Sequence, residues 1–89
     1  MIETINIKDY ECKLKSKINC IFAALKKSEK TKRKDVVIVL ECKNSEIKNN
    51  FKLKLYNITT NEKYIWITEP QTNYSYVNSN FFDFFKEIV

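Results

Sequence analysis

The 89-residue sequence contains no histidine, no glycine and a single proline, Pro70. Each absence removes a class of chemistry. Without His there is no side chain that ordinarily titrates near neutral pH for acid–base work, and no imidazole for a metal. Without Gly, the glycine-rich loops that let a backbone approach a phosphate are excluded. Turns that need φ > 0 then fall to Asn, which tolerates that region better than other side chains. Candidates are Asn44, Asn49, Asn50, Asn57, Asn61, Asn73, Asn78 and Asn80.

Long apolar runs are also missing. None approaches the roughly 20 residues that span a membrane. The opening MIETINIKDYE has neither the basic n-region nor the apolar h-region of a secretory signal. The expectation is a cytoplasmic protein in a reducing compartment, with no membrane partner. Three cysteines, Cys12, Cys20 and Cys42, are an odd number without a C-x-x-C pair. They predict reduced thiols instead of disulfides or a zinc site. A Cys nucleophile needs an activating base, and Glu41, Glu46, Glu62 and Glu69 show no converging spacing. The sequence therefore predicts no catalytic residues, no metal and no cofactor: a protein that acts by binding.

What is present is a core and a basic surface. Hydrophobic residues make up 44% of the chain and aromatics 13%, enough to order one domain over residues 1–89. The net charge of +5 favours a polyanionic partner. Ile7, Tyr10, Leu14, Ile18, Ile21, Phe22 and Leu25 recur at three- and four-residue spacing, which predicts a helix over 7–28 capped by Asn6. Residues 29–35 form a polar, mostly basic connector, expected to stay solvated.

Three strands follow. The aliphatic run Val36–Leu40 predicts a central or doubly buried strand over 36–42. Strict alternation predicts a second over 51–57, with Phe51, Leu53 and Leu55 inward and Lys52, Lys54 and Tyr56 outward. A third is predicted over 63–68, ended by Pro70, and the apolar C-terminus predicts a helix over 79–88 capped by Asn78 or Ser79. The fold class is α+β, in the order α-β-β-β-α. Short connections imply a three-stranded antiparallel sheet with two helices packed on one face.

Two surfaces are then candidates for binding. The uncovered sheet face is expected to present Lys52, Lys54, Tyr56, Tyr64 and Trp66, with Lys63 at its edge. Aromatic platforms interleaved with cations suit base stacking and phosphate neutralisation. The connector residues Lys30, Lys32, Arg33 and Lys34 could add backbone contacts. The same aromatic face would equally serve a protein subunit, as a homo- or heterodimer. Phe82 and Phe85 offer a possible second protein contact, because four Phe within 81–85 wrap more than one helix face.

The α-β-β-β-α order and the stretches LKSKINCIFAAL (14–25), VVIVL (36–40) and 50–68 resemble the Alu-domain proteins of the signal recognition particle. That resemblance implies a heterodimer whose joined sheets bind RNA. Phe51-x-Leu53-x-Leu55, Tyr64, Pro70 and Asn80-Phe81-x-x-Phe84-Phe85 look like RWD-type kinetochore domains, which implies a protein-binding module. The leading expectation is an RNA-binding module of a ribonucleoprotein. The alternative is a protein-interaction module, either a heterodimer subunit or a small phage or viral inhibitor.

Overall fold

The structure is a computed structural model and describes residues 6–28, 30–69 and 80–88. Asn6 opens the first helix, α1 (Ile7–Ser16), with its side-chain Oδ1 accepting the Lys8 and Asp9 N–H groups. These are donors that an uncapped helix start would leave orphaned. The helix ends at Ser16 and does not run to residue 28. The Lys17 N–H closes on the carbonyls of Leu14 and Lys15, and Asn19, at φ 70°, turns the chain. Ile21–Ala24 then extends as strand β1. Four consecutive apolar residues satisfy a helical stripe and a buried strand equally, so periodicity does not separate them. The ladder decides: Ile21, Phe22 and Ala23 pair with Ile38, Val37 and Val36 of the next strand.

Three further strands form the expected meander: β2 (Val36–Asn44), β3 (Phe51–Asn57) and β4 (Glu62–Thr68). Asn49 and Asn61 supply positive φ in the two hairpin connections, as the absence of Gly requires. The expected C-terminal helix is a single turn, α2 (Phe81–Phe84), capped by Asn80. The chain then continues as strand β5 (Phe85–Glu87), antiparallel to β1. Asn73, Asn78, Ser79 and Pro70 lie outside the described residues.

Among the described residues the strands make one five-stranded antiparallel sheet, ordered β4-β3-β2-β1-β5, where three strands were expected. The aliphatic β2 takes the middle position. One face carries the core: Tyr10 and Leu14 of α1 and Phe81 of α2 pack with Phe22, Val37, Val39, Leu53, Leu55 and Phe85. The Phe81 and Phe85 rings stack at 4.6 Å. Tyr10 also carries a polar tie, its hydroxyl 2.5 Å from Thr68 Oγ1 and 3.3 Å from Asn80 Oδ1. Thr68 Oγ1 in turn accepts the Phe81 N–H, so one hydroxyl pair joins α1, β4 and α2. Burial pushes the Tyr10 phenol up to about 12.

The basic connector is not simply solvated. Thr31 is buried, and its hydroxyl is hydrogen-bonded to the Tyr64 hydroxyl. Asp35 is buried as well and accepts from the Lys32 N–H and the Asn57 amide, both at 3.0 Å. Those two donors, the Lys32 N–H first, hold the Asp35 carboxyl below its usual range. A loop of cations is thereby pinned at both ends by polar groups that reach the core.

Candidate partner-binding face

Residues directly opposite in an antiparallel ladder share a face, so register assigns every side chain of the sheet. Tyr64 lies opposite Leu55, Trp66 opposite Leu53 and Thr68 opposite Phe51. All three therefore point toward the core, and two sequence expectations are overturned. Tyr64 and Trp66 are not on the open face. Trp66 packs edge-on against Phe81, Phe84 and Phe85, with centroids at 6.4, 5.2 and 5.2 Å. Tyr64 holds Thr31, and burial pushes its phenol up.

The open face carries the complementary set. One row runs across the whole sheet: Lys63, Tyr56, Ile38 and Ile21, then Ile88, whose N–H donates to the Ile21 carbonyl. A second holds Ile65, Lys54 and Glu41, and a third holds Ile67, Lys52 and Lys43. Val36, Ala23 and Lys86 complete the face at its other end. A register shift between Val39 and Glu41 places Leu40 at a β-bulge beside these rows. Ile21, Ile65 and Ile88 are 40%, 56% and 50% exposed. Lys52, Lys54 and Tyr56 are half-buried along β3, with Ile67 opposite Lys52 and Ile65 opposite Lys54 on the β4 side.

Of the expected site, Lys52, Lys54, Tyr56 and Lys63 do come together. The connector does not join them. Lys30, Lys32, Arg33 and Lys34 are exposed, but their anchor Thr31 reaches β4 from the core side. Phe85 is only 2% exposed and is a core residue, which removes it as a second contact. Phe82 is half-buried, meets Tyr10 edge-on and carries Lys13 Nζ 4.1 Å above its ring. Alternation alone does not reveal the isoleucines of this face, because residues 64–67 are apolar on both sides. Hairpin parity does reveal them: a turn closed by Asn57 and Glu62 pairs the odd-numbered core residues of β3 with even-numbered residues of β4.

Cys12 is exposed, Cys20 and Cys42 are half-buried, and all three are free thiols; burial raises the Cys42 thiol. Among the described residues no three His, Cys, Asp or Glu side chains group to hold a metal. No described helix is long and apolar enough to cross a membrane. The class these features define is an α+β protein with one face of its antiparallel sheet covered and the other aliphatic and lysine-studded. Comparison with known protein families, curated proteins and solved structures gives no match.

Proposed function

We propose that this chain is a non-catalytic protein-binding module that joins a partner through the open face of its sheet. The observation that carries this reading is the exposure of Ile21, Ile65 and Ile88 on one face, among half-buried aliphatics. Aliphatic surface gathered on one side of a sheet gains by being covered. An RNA surface of this kind would need flat rings for stacking. Of Tyr56, Tyr64 and Trp66, only Tyr56 lies on the face, and its hydroxyl is engaged by Asn61. The heterodimer implied by the signal-recognition-particle resemblance accords with this reading; its RNA-binding half lacks the stacking platforms.

The test is isolation of the tagged full chain from its native cells, with and without nuclease. The wild type is expected to retain a stoichiometric, nuclease-resistant protein partner. Ile65→Asp should lose it, whereas Ile47→Asp, an equally exposed isoleucine in the β2–β3 connection, should keep it. Loss of the partner on nuclease treatment, or equal loss in both variants, would overturn the proposal.

A further inference from the structure

The open face is charged in one sense. Lys43, Lys52, Lys54, Lys63 and Lys86 lie on it, and among its ladder-paired residues Glu41 is the one carboxylate. Glu41 is already committed, lying 3.7 Å from Lys43 Nζ and directly opposite Lys54. Lys43 and Lys52 face each other across the β2–β3 ladder, a like-charge pair that disfavours the sheet unless a counter-charge arrives. Two copies of this chain meeting through this face would set these lysines against their equivalents. Such an arrangement is what specific interfaces avoid.

The placement of charge is also ordered. Lys52 and Lys54 form a column along β3, roughly 7 Å apart by the rise of a strand. Ile65 and Ile67 flank it on the β4 side; on the β2 side Glu41 and Lys43 lie opposite it, with Ile38 further along, opposite Tyr56. Building on the open-face reading above, we infer that the partner is an acidic protein surface. It presents carboxylates at alternate positions of an extended strand, with aliphatic side chains beside them. Its carboxylates would meet Lys52 and Lys54, and its aliphatic residues would cover Ile65 and the Ile21–Ile88 row.

The experiment uses the isotope-labelled full chain and three probes, read by amide chemical shifts. The probes are a short peptide alternating glutamate and isoleucine, its lysine–isoleucine counterpart, and a uridine oligonucleotide matched in charge to the first. The acidic peptide is expected to shift Lys52, Lys54 and Ile65 and to bind at least about tenfold more tightly than the basic one. The double variant Lys52→Glu, Lys54→Glu should reverse that preference. Both substitutions lie on the solvent side, and unchanged Trp66 emission confirms that the variant is folded. Tighter binding of the oligonucleotide at the same residues would overturn the inference, as would self-association of the wild type through them. If Ile65→Asp weakens both peptides but charge reversal changes nothing, the acidic partner falls while the open-face reading stands. If no probe shifts any residue of the face, the open-face reading falls with it.

Discussion

Tyr10 shows how much one hydroxyl fixes. It is 1% exposed and ties α1 to Thr68 and Asn80, groups 58 and 70 residues away in sequence. Tyr10→Phe keeps the ring packing and removes that tie, so urea unfolding should show a loss of about 1–2 kcal/mol. The same residue sets an alkaline limit. Its phenol titrates at about 12 when folded, against 10.0 ordinarily. Between those values the unfolded chain has released its proton and the native chain has not, so stability falls as pH rises. Below pH 10 the contribution is fully present. Tyr10 should account for a decline on the order of 2 kcal/mol across that window, and Tyr10→Phe should flatten the measured curve. Lys34 offers the opposite case, an exposed residue held at φ 78°. Lys34→Gly removes the Cβ clash of that conformation and should raise stability by roughly 1 kcal/mol in the same assay.

At the scale of elements, legibility followed the clarity of alternation. Phe51–Tyr56 alternates without exception, and β3 forms with its inward and outward residues as read. Val36–Leu40 is uniformly aliphatic and occupies the middle of the sheet. Ambiguity arose where both faces are apolar. Ile21–Ala24 and Phe85–Glu87 lie in stretches that satisfy helical spacing, yet they pair with each other as β1 and β5, a contact between segments far apart in the chain that local pattern cannot register. Tyr64-Ile65-Trp66-Ile67 is apolar at every position, so only its register with β3 tells inside from outside. The structure therefore exchanges the two halves of the expected face: Tyr64 and Trp66 turn to the core, and Ile65 and Ile67 turn to the open side. Trp66 provides the check, as the single tryptophan of the chain. Packed among Phe81, Phe84 and Phe85, it should emit at short wavelength and resist iodide quenching. Emission and quenching like those of free tryptophan would place it on the open face and reverse the register.

For the whole molecule, the composition that suggests a polyanion-binding protein spreads its charge over several places. The connector cations lie on a loop pinned from the core side by Thr31, whereas Lys52, Lys54 and Lys63 lie on the opposite face of the sheet. A net charge of +5 is therefore a sum over separate surfaces, and the second sets its lysines among the exposed Ile21, Ile65 and Ile88. The proposed binding through that face would rest on apolar burial, with lysines selecting the partner's charge. Ionic strength should consequently change the association rate more than the lifetime of the complex, measurable by surface-immobilised kinetics once the partner is in hand.

The most direct test of the central claim is site-resolved photocrosslinking in the native cells. A photoreactive amino acid is placed at position 65 on the open face or at position 8 on the exposed side of α1. The account predicts a discrete protein adduct from position 65 and none from position 8. Nucleic-acid adducts from position 65, or equal protein adducts from both positions, would contradict it.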